Sequence, residues 1–363
     1  MPKPHLLQNL MMPITIRGKE IPNKFFLAPM AGLGHVAFRE LVAEFGGFGL
    51  LFTGMCSARA IPCENPKISK VFTWREEELP WLVCQIFGSD PASMADAARR
   101  VQEEGFFGID LNFGCCAAAI CKRGSGAALL KNPDLAAEIV FQVRSAVNIP
   151  LFVKFRTGWD NAPESSARMA TLFENAGADA LVFHPRVAPD RRARPPKWQH
   201  IRYVKDAVSI PVFGNGNIFN ARDCRKITME SGCDGVSIGR MAVAKPWIFA
   251  ALTSDDGHPN SDMKTWEKST QSKFNTNHGE SPNIYHYTAS RIVDLLLKHN
   301  DEKTAVKMFK KFVPCFAANF KFGHKICQRL LKGDDPHAIY EIIHGALHPL
   351  PETTAVPNLN LFS

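Results

Sequence analysis

Long hydrophobic runs are missing from this chain of 363 residues. Nowhere do about eighteen or more apolar residues follow one another, and the N-terminal segment has neither an apolar signal core nor a small-residue cleavage site. We therefore expect no signal peptide and no contact with a membrane, and the cytoplasm as the compartment. Because 45% of the residues are hydrophobic and 21% are charged, the chain can bury one large core or two smaller ones, as a globular enzyme does.

The cysteine pattern fits neither a disulfide framework nor a cysteine metal site. Ten cysteines are sparse and irregular for a chain of this length, and no C-x-x-C pair occurs. Cys115, Cys116 and Cys121 lie close together, but no second cluster of ligands accompanies them. We predict thiols, most of them buried as small apolar side chains, and no bound metal.

Acidic residues are absent from residues 303–332, which contain eight lysines or arginines. A second basic cluster, RRARPPK, spans residues 191–197, and the formal net charge of the chain is +8. Such patches suit a polyanion such as nucleic acid, although a solvated surface would explain either run alone.

Eight short apolar runs recur through residues 25–240, and segments with helical spacing separate them. The runs are FFLAPM from Phe25, FGLLFTGM from Phe48, WLVCQIFG from Trp81, GIDLNFGC from Gly108, PLFVKFRTG from Pro150, DALVFHPR from Asp179, PVFGNGN from Pro211 and DGVSIGR from Asp234. Eight strands that alternate with helices predict an α/β fold, a (β/α)8 TIM barrel. An open doubly wound sheet is the alternative, but no G-x-G-x-x-G turn follows the first strand.

The composition changes after residue 252. Residues 253–283 are rich in Ser, Asp, Asn, Thr and Gly, which predicts a polar linker or surface excursion. Residues 284–348 regain helical spacing, with Asn300 or Asp301 as a helix cap. We predict a barrel domain at 1–252, the polar segment, a small C-terminal α-helical domain at 284–348 and a tail at 349–363.

Polar residues stand at the predicted carboxyl ends of the strands, where α/β barrels carry their functional groups. They are Gln85, Asn112, Cys115, Lys154, Arg156, His184 and Arg186. Lys154 can stabilise negative charge on a flavin ring, and Gln85 can hydrogen-bond its edge. An ion pair with a neighbouring strand for Lys154, a structural amide for Gln85 and a neutral core imidazole for His184 are the alternatives.

Strands seven and eight end in sequences that suit phosphate binding. The seventh ends in GNGN from Gly214, and the eighth in Gly239 and Arg240. Glycine permits a close approach of the backbone to a phosphate, and arginine supplies charge. The positions match the pair of loops at which barrels commonly bind phosphate, which favours a phosphate-bearing cofactor.

Eight motifs together resemble one family. APMAG, QIFGSDP, DLNFGC, GSGAALLKNP, VKFRTGW, FHPR, FGNGNI and GCDGVSIGRMAVAKPWIF occur in the order and at the spacing of the FMN-dependent tRNA-dihydrouridine synthases. The resemblance covers roughly residues 23–252 and, more loosely, the helical tail. It implies an FMN-binding barrel, a small helical domain and the reduction of particular uridines of tRNA with electrons from NADPH. It implies no obligate protein partner.

The resemblance also assigns residues. It places Pro29, Met30 and Ala31 under the flavin, Gln85, Lys154 and His184 beside the cofactor, Asn215, Gly216, Asn217, Gly239 and Arg240 at its phosphate, Asn112 and Arg186 around the target uracil, and Cys115 as the catalytic acid. A thiol with a pKa near about 8.5 is protonated at neutral pH, so it can deliver a proton to uracil C5.

Four positions depart from the family pattern. Cys116 stands where proline is usual, HPR replaces HGR after the sixth strand, Asn217 stands where an acidic residue is usual, and His35 lies near a position usually taken by aspartate. The register of Cys115 with Asn112 is unchanged, so Cys115 remains the predicted acid.

Three other functions compete with this interpretation. They are an FMN-dependent reductase of a small pyrimidine or enone, a dihydrouridine synthase acting on ribosomal RNA, and an RNA-binding protein with a degenerate barrel. The last would have lost the phosphate or thiol positions, and both remain in this sequence.

Overall fold

The computed structural model describes residues 5–188, 194–254, 267 and 283–362, apart from the side chain of His5. By its internal contacts the chain divides into two compact units. The first comprises Met1–Ala31, Phe48–Ile218 and Arg222–Gly239, and the second comprises Gly32–Gly47, Phe219–Ala221 and Arg240–Ser363. The last segment of the second unit thus begins at Arg240, before the change in composition at residue 252. Within this unit, Asn319 donates from Nδ2 to the carbonyl oxygen of Ala244 at 2.7 Å.

The first unit is built around eight parallel strands in the described part of the chain. The strands of the barrel are β3 (Phe25–Leu27), β4 (Leu51–Phe52), β6 (Leu82–Phe87), β7 (Gly108–Phe113), β8 (Leu151–Gly158), β9 (Ala180–Val187), β10 (Val212–Asn215) and β11 (Gly235–Ile238). They lie in the order β3-β11-β10-β9-β8-β7-β6-β4, and a parallel bridge between Phe26 and Leu50 joins the two ends. The predicted eight-stranded TIM barrel is confirmed.

Three shorter strands accompany the barrel. β1 (Ile14–Ile16) and β2 (Lys19–Ile21) form an antiparallel hairpin, and β5 (Cys56–Ser57) pairs with β6. Ile16 and Ile21 of the hairpin are fully buried members of the barrel's apolar cluster. The hairpin therefore contributes side chains to the core of the barrel.

Aromatic rings fill much of the barrel interior. Phe26 stacks on Phe213 with ring centroids 4.1 Å apart, and Phe52 and Phe152 pack edge to face at 5.7 Å. A Cβ on Gly235 would come within 2.5 Å of the Phe213 ring, so only glycine leaves room for that ring. Close-packed interiors of this kind tolerate little added volume.

A polar layer follows this apolar layer along the strands. Side chains alternate between the two faces of a strand, so residues two positions apart share a face. Four polar residues each lie two positions after a buried member of the apolar cluster: Gln85 after Val83, Lys154 after Phe152, His184 after Val182 and Asn215 after Phe213. The polar side chains therefore face the barrel interior, nearer the carboxyl ends of the strands.

Helices accompany the strands, and several begin at a capping side chain. The helices of the barrel are α1 (His5–Met11), α3 (Pro91–Glu103), α4 (Ala118–Cys121), α5 (Pro133–Ala146), α6 (Pro163–Asn175), α7 (Gln199–Ala207) and α8 (Ala221–Ser231). Asp90 caps α3 and Asn132 caps α5, each by accepting a hydrogen bond from a backbone N–H of the first turn. Proline follows each cap at the first helical position, where its missing N–H costs nothing.

The second unit is helical. Its helices are α2 (Val36–Phe45), α9 (Arg240–Ala244), α10 (Ile248–Thr253), α11 (Ile284–His299), α12 (Glu302–Ala317), α13 (Gly323–Leu330) and α14 (Pro336–Leu347). Of the two predicted caps of α12, Asp301 is the one used, since its Oδ1 accepts from the N–H of Thr304 at 2.9 Å. The predicted helical C-terminal region is confirmed. None of the described helices is long and apolar enough to cross a membrane.

Most of the predicted polar segment at 253–283 lies outside the described residues, as does the start of the basic cluster at 191–197. Within the polar segment, Glu267 is buried. Its carboxylate accepts hydrogen bonds from Lys245 Nζ at 2.6 Å and from Tyr285 Oη at 3.1 Å. Burial and this carboxylate raise the pKa of Tyr285 well above its usual value. Glu267 thus belongs to the core of the helical unit.

Candidate active site

Three buried side chains of β6 and β7 form a hydrogen-bonded row. Asn112 Nδ2 donates to Gln85 Oε1 at 2.8 Å, and Gln85 Nε2 donates to Asp110 Oδ2 at 2.6 Å. The register pairs Gln85 with Asp110 and Asn112 with Lys154 across neighbouring strands. Neighbouring positions in a parallel sheet point to the same side, so all four side chains belong to the polar layer.

Asp110 and Lys154 are an oppositely charged pair within this layer. Burial raises the pKa of Asp110 to about 7, and the hydrogen bond from Gln85 and the charge of Lys154 oppose that rise. Burial lowers the pKa of Lys154 to about 8, with Asp110 acting in the opposite direction. Burial therefore disfavours the charged form of each group, and the charge of its partner offsets part of that cost. Such shifted pairs are common at functional sites.

Asp110 was not among the residues predicted from the sequence. It could have been, because it precedes the predicted site residue Asn112 by two positions and a strand places such residues on one face. Lys154 also reaches β10, where its Nζ donates to Asn215 Oδ1 at 3.3 Å. Asn215 in turn donates from Nδ2 to the carbonyl oxygen of Ser237 at 2.7 Å. The polar layer thus extends from β6 to β11.

The segment after β7 holds Cys115 by its backbone. Asn112 Oδ1 accepts from the N–H of Cys115 at 2.9 Å, and the carbonyl oxygen of Cys115 accepts from the N–H of Ala127 at 2.8 Å. Cys121 Sγ donates to the same carbonyl oxygen at 3.5 Å. The Cys115 side chain is partly exposed, whereas Cys116 is exposed. Asn112 therefore links the Cys115 backbone directly to the row with Gln85.

Two neighbours of Cys115 have structural roles. Burial and the nearby Cys115 thiol raise the pKa of Cys121 above its usual value, which keeps that thiol protonated. Gly126 has φ +64°, and a Cβ there would lie 2.5 Å from the carbonyl oxygen of Cys115. Glycine at this position permits the loop to close tightly beneath Cys115.

The turn after β10 adopts a conformation suited to glycine. Gly216 has φ +114°, and a Cβ there would lie 2.9 Å from the His184 ring. Asn217 follows in the left-handed region with φ +52°. Trp198 Nε1 donates to the carbonyl oxygen of Gly216 at 2.9 Å, and Arg186 Nη2 donates to Asn217 Oδ1 at 3.1 Å. The predicted phosphate turn and the two predicted residues of β9 therefore lie together.

This arrangement fits a phosphate-bearing cofactor. Backbone turns of this type present N–H groups to anions. A Cβ on Gly239 would lie no closer than 3.6 Å to Ala28 and 3.7 Å to Met30 Sδ. Met30 thus lies beside the end of β11, and the place of Pro29, Met30 and Ala31 under a flavin stays a prediction.

Arg240 and His35, two further residues from the sequence analysis, belong to the helical unit. Arg240 donates from Nη1 to the carbonyl oxygen of Phe362 at 3.1 Å and lies over that ring, 5.2 Å from its centroid. His35 caps α2, because its Nδ1 accepts from the N–H of Phe38 at 3.2 Å. Burial and the charges of Arg39 and Lys311 lower the pKa of His35 to about 3, so the ring is neutral. A neutral histidine can therefore provide the acceptor that aspartate commonly provides at such caps.

A cleft of about 360 Å³ adjoins the ends of β5 and β6. Arg59 and Arg123 line it together with Ser57, Ser89, Ser93 and Ser125, and Asp90 also lines it. Arg123 and Ser125 belong to the loop that follows Cys121. The cleft therefore borders the loop that holds Cys115, and its two arginines suit an anionic ligand.

The comparisons with known proteins agree with this geometry. A family model described as dihydrouridine synthase matches residues 26–310. The chain is 38% identical over 232 residues to tRNA-dihydrouridine synthase B of Pseudomonas aeruginosa, covering 64% of this chain and 69% of that protein. It is 34% identical over 239 residues to a probable tRNA-dihydrouridine synthase of Rickettsia conorii, covering 66% and 72%.

Solved structures with a similar fold are more distant. Histamine dehydrogenase from Rhizobium sp. 4-9 has a TM-score of 0.52 at 14% identity, covering 67% of this chain and 47% of that one. 6-Hydroxypseudooxynicotine amine oxidase from Pseudomonas geniculata N1 also has a TM-score of 0.52 at 14% identity, covering 70% and 51%. These two structures support the barrel fold. Because the family model matches most of the chain and the curated relatives exceed 30% identity, the chain belongs to the dihydrouridine synthase family of flavin-dependent oxidoreductases.

Proposed function

We propose that this protein reduces the C5–C6 double bond of specific uridines in tRNA, in the cytoplasm, with FMN as cofactor, NADPH as electron donor and Cys115 as proton donor. One observation carries the proposal. The Asn112 side chain binds the N–H of Cys115 and, through its other end, the buried Gln85. A single side chain therefore sets the position of the thiol relative to the polar layer.

The polar layer and the neighbouring turns offer a cation for the flavin ring and ligands for its phosphate. When bound, FMN would supply the hydride-transfer chemistry, with NADPH as the source of electrons and uracil C6 as the acceptor. Lys154 provides a cation for negative charge on the ring, and Asp110 tunes the pKa of Lys154. Asn215, Gly216, Asn217, Gly239 and Arg240 are the proposed phosphate ligands, with Pro29, Met30, Ala31, Gln85 and His184 beside the rest of the cofactor.

Cys115 is suited to act as the acid. Its partial exposure lets the thiol contact a substrate, while its backbone is held at both the N–H and the carbonyl oxygen. A positioned thiol can act as a general acid and donate its proton to uracil C5. Arg186 and Asn112 are the proposed contacts to the uracil.

Basic groups in each unit support an RNA substrate. Arg59 and Arg123 line the cleft that borders the Cys115 loop, where they can bind phosphates of an RNA whose target uridine has left its stack. On α12, the exposed Lys303, Lys307 and Lys311 can bind phosphates. The P. aeruginosa relative, named a tRNA-dihydrouridine synthase, supports tRNA as the RNA.

The test separates the two half-reactions in Cys115→Ala, with Cys116→Ala as the matched control. We expect NADPH to reduce the flavin of both variants at the wild-type rate. Dihydrouridine formation in tRNA should fall by about 100-fold or more in Cys115→Ala alone, since a general acid contributes at least that factor. Loss of dihydrouridine in Cys116→Ala, with activity kept in Cys115→Ala, would overturn the assignment.

The substrate class is tested separately. Dihydrouridine is mapped in tRNA and ribosomal RNA from cells with and without the gene. We expect losses at tRNA positions alone. Loss confined to ribosomal RNA, or no loss from RNA together with rapid reduction of free pyrimidines or enones, would refute tRNA as the substrate.

A further inference from the structure

Three histidines of the helical unit converge at the end of α14. Among the described residues that could ligate a metal, His286, His344 and His348 bring one ring nitrogen each to within 4.8 Å of one another. The rings of His344 and His348 are stacked at 5.2 Å with planes 15° apart. His286 stands nearly perpendicular to both, with centroid distances of 5.9 Å and 5.3 Å. Imidazole nitrogens from two chain segments therefore lie close together.

We propose that His286, His344 and His348 form a binding site for one divalent transition-metal ion, with Zn²⁺ as the expected occupant. Imidazole is a favoured ligand of zinc, copper and nickel. A zinc ion binds imidazole nitrogen at about 2.0–2.1 Å, so two ligand nitrogens of a tetrahedral site lie roughly 3.3 Å apart. The ligand nitrogens, which lie within 4.8 Å of one another, must approach to that spacing and the rings must turn when the ion binds. The site lies apart from the cysteines, on which the expectation of no bound metal rested.

The backbone that carries the three ligands is held in place without the metal. The buried Asn283 accepts from the N–H of His286 at 3.3 Å through Oδ1. Its Nδ2 donates to the carbonyl oxygen of Leu347 at 3.1 Å, next to His348. One side chain thus sets α11 against the end of α14. Such supporting hydrogen bonds fix the ligands of known metal sites.

The spacing and the location also suit a cation. His344 and His348 are four residues apart, and the N–H of His348 donates to the carbonyl oxygen of His344 at 3.0 Å. That spacing places two imidazoles one helical turn apart, as in many zinc-binding helices. The carbonyl end of α14 adds partial negative charge. Phenylalanine would serve ring packing equally well, but it would bring no ligand atoms together.

The fourth coordination position is open to water. His344 is exposed, while His286 and His348 are half-buried. A metal can enter from the exposed side and retain a water ligand there. Bound metal would link α11 to α14 and thereby stabilise the helical unit, because a ligand that binds the folded state favours it.

The test uses the full-length protein after treatment with a chelator. Zinc is titrated in competition with a chromophoric chelator, and Co²⁺ serves as a spectroscopic probe. We expect one equivalent of tight binding, a rise in the melting temperature with zinc, and Co²⁺ bands without sulfur-to-cobalt charge transfer. Sulfur charge transfer would place the ion on cysteines instead and overturn the proposal.

The matched variants are His344→Ala and His337→Ala, both on α14. The His337 side chain is also exposed, at 85%, but it lies outside the cluster. His344→Ala should weaken zinc binding by about 100-fold or more and abolish the zinc-dependent rise in melting temperature, while His337→Ala should change neither. Melting temperatures of the metal-free proteins are measured to check that both variants fold. His348→Gln is the second test of the site and should also weaken zinc binding. Equal affinities in the wild type and His344→Ala, or equal losses in both alanine variants, would overturn the proposal.

Discussion

Gly126→Ala tests whether the tight loop beneath Cys115 sets the activity of the thiol. Two costs follow from the structure. A residue with a side chain in the left-handed region, at φ +64°, costs about 1–2 kcal/mol. The new Cβ would also start 2.5 Å from the carbonyl oxygen of Cys115, so the oxygen must move by about 0.5 Å to reach 3.0 Å. With about 1–3 kcal/mol for that displacement, we expect the free energy of unfolding to fall by about 2–5 kcal/mol.

The displacement should affect one half-reaction. Small misplacements of a catalytic group are costly, and a shift of about 1 Å can lower a rate by about 100-fold, so a shift of half that size should cost roughly tenfold. We therefore expect dihydrouridine formation by Gly126→Ala to slow by about tenfold in single turnovers, at a temperature where the protein is folded. Reduction of the flavin by NADPH should keep its wild-type rate.

Gly124→Ala is the matched control. Gly124 lies in the same loop with φ +70°, but a Cβ there would meet Ser89 Cβ at 3.7 Å, which is ordinary contact. This variant carries the backbone cost of about 1–2 kcal/mol without the displacement of Cys115. The reasoning is refuted if both variants slow uridine reduction equally, or if Gly126→Ala retains the wild-type rate.

Three other predictions concern the barrel and the helical unit. Asp110 keeps its proton in the folded state up to about pH 7 but loses it near about pH 4 when unfolded, so the stability due to this group falls as pH rises between these values. In Asp110→Asn, denaturant titrations should no longer show this decrease in the free energy of unfolding with pH, and the pKa of Lys154 should be lowered further. If the pH dependence of stability is the same as in the wild type, the raised pKa of Asp110 is contradicted. Gly235→Ala places a Cβ 2.5 Å from the Phe213 ring, so we expect the free energy of unfolding, measured in urea, to fall by about 1–3 kcal/mol. An unfolding midpoint equal to that of the wild type would show that the core accommodates the added methyl group. Asp301→Ala removes the cap of α12 and should cost about 1 kcal/mol, whereas Asp301→Asn, which keeps an acceptor, should cost much less.

Local patterns were sufficient to predict the strands and their ends. The alternation of apolar runs with helical segments depends on neighbours in sequence, and the eight predicted strands are the eight strands of the barrel. Gln85, Asn112 and Lys154 were predicted at the carboxyl ends of strands, which share one side of a barrel, and Asn215 was predicted at the phosphate turn after the seventh strand. Hydrogen bonds connect Gln85 to Asn112 and Lys154 to Asn215. The roles assigned to these residues stay predictions.

Local sequence patterns could not predict contacts between residues that are far apart in the sequence. In the sequence, nothing distinguishes the surroundings of Asp110 from those of any other polar residue in a strand. The strand register places it beside Gln85, and burial raises its pKa. Glu267 lay in a polar stretch, yet Lys245 and Tyr285 surround its carboxylate.

The sequence by itself thus determined the barrel, the family and the strand ends that carry polar groups, because periodicity and motif spacing are properties of the chain. Only the tertiary structure decided which side chains lose their water and which meet across strands and helices. Desolvation and distance govern pKa values and metal ligation, and both depend on folding. The convergence of His286 with His344 and His348 is therefore a property of the packed helices.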